Sequence, residues 1–472
     1  MIPAPKVTAS RSWTERLFAP VDIASLACFR MMFGAILLAD IFEFFKTGWI
    51  RAEYIRPRFH FTYYGFSWVH PLPGNGMYYL FIALGVAALF ILIGFAYRLA
   101  ATVFFLGFTY VFLIEEALYL NHYYFASLVS FLMIFVPAHR KWSIDAILRP
   151  SIASEFAPAW SLWILRAQMG FVYFFGGVAK LNSEWLHGWP LRIWLPRDLM
   201  VPVLSHYRNE LWLAMFFSYS GLCIDLFAVP LLLWKRSRPY MFAVLASFHL
   251  MNLNLFDIGI FPWFATAMTA LYFEPDWPRK LIGRVASLVG RRTPSTPAVP
   301  LSAQGKFRTA TAFALGVYLS IQVLLPLRHF LYPGDTEWTE EGHRFSWRMK
   351  LRDKTSRIGF TLTDPETGVS WSPTLTRYLR DFQFEPMSLR PDMIQQLARY
   401  LADQETEPGH KRVEVRADAK VSLNGRRYQA IVDPNVDLAA TEPSLAPAPW
   451  ITKLTAPRRK ALLAQESSPA SP

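Results

Sequence analysis

The sequence predicts a polytopic α-helical membrane protein, with about eight to nine transmembrane helices and a carboxy-terminal β-rich α+β domain that is soluble. Hydrophobic residues make up 53% of the 472 residues and aromatic residues 16%, which is more than a soluble chain of this length buries. Apolar stretches near the ~20 residues that cross a bilayer recur up to about residue 331. After Asp335 they give way to short alternating segments.

Nine apolar segments make up the predicted membrane part. They lie at about 22–45, 77–97, 99–118, 122–138, 159–181, 210–234, 239–256, 260–273 and 309–330. The segment at 260–273 is the shortest, so a re-entrant or interfacial helix is an alternative there.

Basic clusters between these segments predict the topology. Residues 1–20 lack the apolar core of a signal peptide, so the amino terminus is expected in the cytoplasm. Nine crossings then place Arg98, 139–141, 235–238 and 279–292 on the cytoplasmic side, in line with the positive-inside rule. The net charge of +13 therefore reflects topology and predicts no nucleic-acid partner. The carboxy-terminal domain is expected to be extracytoplasmic, at the inner membrane if the chain is bacterial.

Four parts follow along the chain: a cytoplasmic segment at 1–20, a multi-span domain at 21–331, an extracytoplasmic domain at 332–452 and a disordered tail at 453–472. Residues 293–303, rich in proline and small residues, indicate a linker. Alternation of apolar and polar residues predicts strands at 345–351, 357–363 and 412–416. Apolar residues at helical spacing predict an amphipathic helix at 392–403.

The absence of known ligand and catalytic motifs excludes several classes of chemistry. Cys28 and Cys223 both lie in apolar segments, so they are interpreted as structural thiols rather than a disulfide. The sequence has no His-Glu-x-x-His and no Cys-x-x-Cys, so no metal site is predicted. Glycine-rich phosphate loops and a Gly-x-Ser-x-Gly elbow are also missing, which leaves a metal-free chemistry.

Ionisable residues at membrane depth are costly, so they are the candidates for function. Arg30, Asp40 and Asp225 are interpreted as buried pairing partners. Glu115 and Glu116 are interpreted as exposed residues of the membrane interface. All five therefore have a structural explanation from sequence alone.

Lys180 is the strongest candidate, because helical spacing places it on one face with Tyr173 and Gly177. Gly176 and Gly177 permit a neighbouring backbone or ligand to come close. Burial beside such a groove favours the neutral amine, which is a base. The alternative is a lysine that extends its amine to the lipid headgroups.

Two histidines are further candidates. Asn121 and His122 open the fourth segment, and His249 with Asn252 forms a polar island in the seventh. An interfacial role for the first histidine and a packing role for the second are the alternatives.

Several motifs in order resemble the vitamin K-dependent gamma-glutamyl carboxylases with their HTTM-type membrane domain, and indicate a compact bacterial-type member. The resemblance covers roughly residues 20–440. The motifs are Leu120–Tyr124, Trp142–Asp145, Leu165–Gly188, Phe248–Gly259, Pro275–Lys280, Trp338–Trp347 and Asp433–Asp437.

The resemblance implies that vitamin K hydroquinone is oxygenated to its 2,3-epoxide, and that the strong base so formed takes a γ-proton from a glutamate of a peptide or protein. Carbon dioxide then adds to give gamma-carboxyglutamate, without a metal. Lys180 corresponds to the initiating base and His122 to a residue that stabilises the quinol oxyanion. Asn121, Tyr173, His249 and Asn252 are then expected to bind the quinone. The lipid bilayer is the expected source of this isoprenoid-tailed cosubstrate.

Three other functions stay open at this point. Ala179 stands where mammalian-type enzymes have a second lysine. Epoxidation without carboxylation is one alternative, because bacterial-type relatives without the accessory regions need not retain the peptide reaction. Intramembrane charges also occur in transporters, although no inverted repeat is visible. A haem electron carrier is the third.

Overall fold

The computed structural model describes residues 12–255, 259–288, 308–408 and 410–458. The part up to residue 331 is a helical bundle with one short antiparallel pair of strands, β1 (Pro20–Asp22) and β2 (Phe156–Pro158). Its helices are α1 (Trp13–Leu17), α2 (Ala24–Thr47), α3 (Gly76–Ile93), α4 (Tyr97–Ile114), α5 (Asn121–Phe135), α6 (Ile144–Leu148), α7 (Ala159–Lys180), α8 (Ser183–Leu186), α9 (Leu191–Asp198), α10 (Pro202–Ser205), α11 (Leu211–Leu233), α12 (Arg238–Leu255), α13 (Phe261–Ala270), α14 (Trp277–Leu288) and α15 (Arg308–Leu327).

Each of the nine apolar segments coincides with a helix: α2, α3, α4, α5, α7, α11, α12, α13 and α15. In the described ranges, six helices are long and apolar enough to cross a membrane. They are Ala24–Thr47, Gly76–Ile93, Tyr97–Ile114, Ala159–Lys180, Leu211–Leu233 and Arg308–Leu331. The polytopic membrane fold is therefore confirmed, whereas the count of eight to nine spans stays a prediction. The predicted linker at 293–303 lies outside the described residues.

The core of the bundle is strongly aromatic. Phe33 of α2 stacks on Phe264 of α13, and Phe125 of α5 packs against the same ring, with centroids 5.3 Å and 4.7 Å apart. Short connections make successive helices neighbours, so α2 packs on α3, α3 on α4, α4 on α5 and α11 on α12. Helix α7 lies against α5, α11, α13 and α15, which places it in the middle of the bundle.

The carboxy-terminal domain is a small antiparallel sheet covered by helices. Its strands are β3 (Lys354–Thr363), β4 (Ser370–Trp371), β5 (Glu414–Leu423) and β6 (Gln429–Ala430), in the spatial order β4-β3-β5-β6. Its helices are α16 (Thr336–Thr339), α17 (Asp381–Leu389) and α18 (Pro391–Glu405). The strand predicted at 357–363, the one at 412–416 and the helix at 392–403 are confirmed by β3, β5 and α18.

The strand predicted at 345–351 is wrong, because this segment forms turns. Phe345 and Trp347 have positive φ angles of 63° and 56°. Their rings pack on Tyr124 of α5, with centroids 4.9 Å and 5.1 Å apart. The alternation of apolar and polar residues therefore reflects packing on the membrane bundle and not on a sheet.

Glu115 and Glu116 are buried, so their interpretation as exposed interfacial residues is wrong. The Glu115 carboxylate accepts a hydrogen bond of 2.7 Å from Gln383 Nε2 of α17. Glu116 lies 3.1 Å from Arg344 and accepts a 3.0 Å bond from Gln396 of α18. Both carboxylates hold the carboxy-terminal domain against the bundle.

Arg30 and Asp40 do not pair with each other. The Arg30 guanidinium donates to the carbonyl oxygens of Ile91 and Trp142, at 3.3 Å and 2.6 Å. The Oδ2 atom of Asp40 is buried without a hydrogen-bond partner among the described residues. At the other end of the chain, Arg458 contacts Glu184 and lies over the Trp189 ring, while residues 459–472 are outside the described part.

Candidate active site

A cavity of about 540 Å³ lies between α5, α7, α11, α12, α13 and residues 348–354 of the carboxy-terminal domain. This volume is within the usual range for small-molecule sites. The cavity brings together all six residues singled out in the sequence: Asn121, His122, Tyr173, Lys180, His249 and Asn252. Segments separated by up to 131 positions in the chain therefore meet in one place.

Lys180 is the last residue of α7, and its amine faces α11. Its Nζ atom donates to Asp225 Oδ2 at 2.6 Å and to the carbonyl oxygen of Gly176 at 3.2 Å. Nζ also lies 5.2 Å from the centre of the Trp185 ring. Both charged side chains are 9% exposed, so the pair is largely removed from water. The attraction between two opposite charges at this distance is strong in surroundings of low dielectric constant.

Two glycines of α7 allow this pair to form. A Cβ atom on Gly176 would lie 3.2 Å from Asp225 Oδ2, and one on Gly177 would lie 2.7 Å from the Leu226 side chain. Glycine at both positions therefore lets α11 approach α7 closely. The sequence predicted a close approach here, and the structure identifies the neighbour as a helix.

The neutral amine expected at Lys180 stays a prediction, and Asp225 is the partner that the structure adds to it. Asp225 was interpreted as a buried pairing partner, and the structure identifies Lys180 as the residue with which it pairs. In a low-dielectric cavity, a lysine and a carboxylate at this distance act as one unit that shares a proton. The unit has no net charge in either arrangement of that proton.

A second polar group comes from α7, α12 and α13. The Tyr173 hydroxyl and His249 Nε2 are hydrogen bonded at 3.0 Å, and the same hydroxyl lies 3.4 Å from Thr269 Oγ1. His249 Nδ1 is buried and has no partner within the part of the chain that the structure describes. Its second nitrogen is therefore an unused hydrogen-bonding atom of a residue that lines the cavity.

His122 and Asn121 form the α5 side of the cavity. The His122 ring packs edge-on against Tyr123, with centroids 4.7 Å apart, and makes no hydrogen bond within the described ranges. Asn121 Oδ1 accepts a 3.0 Å bond from the Tyr119 hydroxyl, which itself accepts from the Phe345 amide. This leaves the Asn121 amide nitrogen as the donor that can serve a ligand. Asn252 lines the cavity and is half-buried.

The carboxy-terminal domain supplies a charged wall that the sequence interpretation missed. It contains Arg348, Lys350, Arg352, Lys354 and Arg390, with Glu340, His343, Asp353 and Glu385. Part of this wall falls on the strand predicted at 345–351, and no prediction was made for its other residues.

Buried ion pairs order this wall. Lys354 Nζ lies 2.5 Å and Arg352 Nη2 lies 2.6 Å from the Glu340 carboxylate. Burial tends to raise the pKa of Glu340, but the charges of Arg352 and Lys354 outweigh it and hold that pKa well below its usual range. Burial lowers the pKa of Lys354 to about 8, although Glu340 acts in the opposite direction. No group of three residues that would suit a metal ion occurs in the described part.

Comparison with family models agrees with this two-part construction. Residues 18–277 match the model of the HTTM domain, and residues 307–456 match the model of the vitamin K-dependent gamma-carboxylase, lumenal domain. The chain belongs to the vitamin K-dependent gamma-carboxylase family. No solved structure matches it.

In this carboxylase-family chain the cavity lies at the junction of the two matched domains. All six candidate residues and Asp225 belong to the HTTM domain, whereas Arg348, Arg352 and Lys354 belong to the lumenal domain. Neither domain alone would enclose the cavity.

Proposed function

We propose that this chain oxygenates vitamin K hydroquinone to the 2,3-epoxide and couples that reaction to carboxylation of peptide glutamate. The supporting observation is the Lys180–Asp225 pair in a cavity shared with His122, Asn121, Tyr173 and His249. Membership of the carboxylase family indicates vitamin K hydroquinone as the cosubstrate, and the cavity has side chains that fit this molecule.

The lining of the cavity suits a naphthohydroquinone, a flat apolar ring with two hydroxyl groups. Apolar walls come from Val172, Leu195, Phe217, Phe248 and Phe261. Polar groups lie on the other sides of the cavity, and His249 Nδ1, which has no partner among the described residues, is one that a hydroxyl would satisfy. An isoprenoid tail would leave the cavity toward the lipid, because it gains nothing from the charged wall.

The Lys180–Asp225 pair would remove a proton from one hydroxyl. If Lys180 holds the shared proton, the carboxylate accepts the new one; if Asp225 holds it, the amine does. Both routes end with a protonated lysine and a neutral aspartic acid. The pair then has a charge of +1, which balances the quinol oxyanion in a site with little water.

His122 and the Asn121 amide nitrogen are the remaining donors for that oxyanion. Among the described residues, neither donor takes part in a protein hydrogen bond that it would have to break. Donors that are already in place act without reorganisation when charge develops. We assign His122 to transition-state stabilisation and Asn121, Tyr173, His249 and Asn252 to binding of the ring.

Oxygen supplies one atom to the epoxide and loses the other as water, while the glutamyl γ-carbon loses a proton and gains carbon dioxide. The cationic wall at Arg348, Lys350, Arg352 and Arg390 would hold the substrate carboxylate. Burial of the Lys180–Asp225 pair limits quenching of a strong base by water. Under the topology predicted from the basic clusters, the peptide enters from the extracytoplasmic side.

The decisive experiment incubates purified full-length protein with vitamin K hydroquinone, oxygen, labelled bicarbonate and a glutamyl peptide, and measures both products. We expect epoxide and labelled gamma-carboxyglutamate, both dependent on hydroquinone. Epoxide without label in the peptide would reduce the function to epoxidation. If neither product forms in protein that folds normally, the proposal fails.

A further inference from the structure

A second cavity, which we call the basic groove, lies away from the candidate active site. It has a volume of about 420 Å³ and is formed where the α11–α12 junction meets α13 and α14. Its lining consists of Lys235, Arg238, Pro239, Phe273, Glu274, Trp277, Lys280, Leu281 and Arg284. Arg238 in the groove and His249 in the active-site cavity are eleven positions apart on α12, which corresponds to about 17 Å of helix.

Positive charge dominates the basic groove. Glu274 is the single carboxylate of the lining, and both Lys235 and Arg238 contact it, at 3.1 Å and 3.3 Å. Lys280 pairs with Asp276 at 2.8 Å, and their side chains are 59% and 37% exposed. Arg284 has no ion-pair partner in the described ranges. Four cations and two carboxylates leave an excess charge of about +2, which suits a phosphate group.

The residues around the groove are apolar and exposed. On α14, Leu281, Val285 and Leu288 are 52%, 55% and 85% exposed. At the start of the groove, Trp234 and Tyr240 are 60% and 75% exposed. Tryptophan and tyrosine at helix ends mark the headgroup level of a bilayer. Helix α14 therefore has the composition of a basic amphipathic helix that lies in the membrane interface.

The start of α14 is fixed to the bundle. Arg279 lies 2.8 Å from Asp22, and the Ser25 amide donates to the Pro275 carbonyl at 3.0 Å. The cations of the groove are consequently held in place near the headgroup level instead of moving with a free helix. A preformed site of this kind loses less entropy when it binds.

We propose that the basic groove binds the headgroup of an anionic phospholipid. The phosphate would lie among Lys235, Lys280 and Arg284, and an acyl chain would follow Phe273, Trp277 and Leu281 out of the groove. Basic pockets between membrane helices bind anionic lipids in this way. A free phosphate would use the cations but would leave the apolar wall uncovered.

The test measures lipid binding by native mass spectrometry of the full-length protein in detergent. The probes are dioleoyl phosphatidylglycerol, dioleoyl phosphatidylcholine with the same chains, and glycerol 3-phosphate. The groove variant is Lys280→Gln/Arg284→Gln. The control variant, Arg98→Gln/Arg149→Gln, removes the same charge from exposed positions outside the groove.

We expect the protein to bind phosphatidylglycerol more tightly than phosphatidylcholine. Each lost cation should weaken the binding of phosphatidylglycerol by roughly fivefold. The affinity of the groove variant should therefore fall by about 25-fold, and that of the control variant by about twofold or less. Equal binding of the two lipids, or equal losses in the two variants, would overturn the proposal. Displacement of the lipid by glycerol 3-phosphate at similar concentration would overturn it as well, since the site would then recognise a free anion. The assay measures no catalysis and is therefore independent of the proposed function.

Discussion

Arg30 and Lys180 are both cations buried within apolar helices, yet their surroundings differ completely. The Arg30 guanidinium is enclosed by protein and donates to two backbone carbonyl oxygens. A Cβ atom on Gly94 would clash with it, which shows how tightly the chain surrounds it. Lys180 instead contacts a carboxylate and lines an open cavity. A buried cation enclosed by carbonyls stabilises the fold, whereas one that pairs with an acid beside a cavity is available for chemistry.

Replacing Lys180 by methionine should produce the largest change in activity. The variant keeps most of the side-chain volume but removes the amine, so epoxide formation should fall by about 10⁴-fold, near the upper limit of base catalysis. Because Asp225 would then be buried without a partner, Lys180→Met/Asp225→Asn should restore thermal stability without restoring the rate. Lys46→Met, at an exposed lysine of α2, is the matched control. A double variant with normal turnover would remove Lys180 from the mechanism.

His122→Ala tests whether the histidine stabilises charge or only packs against Tyr123. A lost hydrogen bond to an oxyanion should lower kcat by ~10²–10³-fold. The KM for hydroquinone should change only a few-fold, because the bond strengthens as charge develops. Steady-state kinetics of folded enzyme measures both. Lower stability in detergent, with unchanged activity per folded molecule, would instead indicate a packing role.

Asp225→Asn should have a smaller effect than loss of the lysine. The amide oxygen still accepts a hydrogen bond from Lys180, but the second proton acceptor is gone. Hydrogen bonds to charged groups contribute roughly 1.5–3 kcal/mol, so epoxidation should slow by about 10–100-fold. Asp225→Glu keeps the charge and should recover part of the rate. If Asn and Glu variants have equal rates, the charge of Asp225 has no part in catalysis.

Apolar length was enough to locate the long apolar helices, and polar residues within apolar runs were enough to single out Lys180 and His249, which line the cavity. Pairing was not predictable, because Asp225 lies 45 positions from Lys180 and Trp142 lies 112 positions from Arg30. Alternation at 345–351 suggested a strand because the sequence does not show that Phe345 and Trp347 pack on α5. Partners distant in sequence, and the surface on which a segment packs, depend on the tertiary fold.

Arg30→Met is the counterpart of the lysine substitution. It leaves the carbonyl oxygens of Ile91 and Trp142 buried without their donor, which should cost about 1–3 kcal/mol of stability. Thermal unfolding in detergent measures the loss, with Arg98→Met as an exposed control. Epoxidation per folded molecule should be unchanged. A specific loss of activity in folded Arg30→Met would contradict the distinction between the two cations.

Lys354 is a buried cation of the carboxy-terminal domain. Of the changes predicted here, its contribution to the pH dependence of stability should be the smallest. Its amine donates to the Trp338 carbonyl at 2.9 Å and lies 2.5 Å from Glu340. Burial lowers its pKa to about 8 in the folded protein, below the ordinary lysine value of about 10.4. Above pH 8 the unfolded chain therefore binds more protons than the folded one, so stability should rise with pH in this window.

Between pH 7 and pH 9 the free energy of unfolding should rise by roughly 1 kcal/mol because of Lys354, since one pKa unit corresponds to about 1.4 kcal/mol. Thermal unfolding of the full-length protein at both pH values gives the measurement. In Lys354→Met the pH-dependent increment should disappear, whereas Lys420→Met, at an exposed lysine of β5, should retain it. An increment that persists unchanged in Lys354→Met would show that other titrating groups produce it and that Lys354 contributes none of the pH dependence.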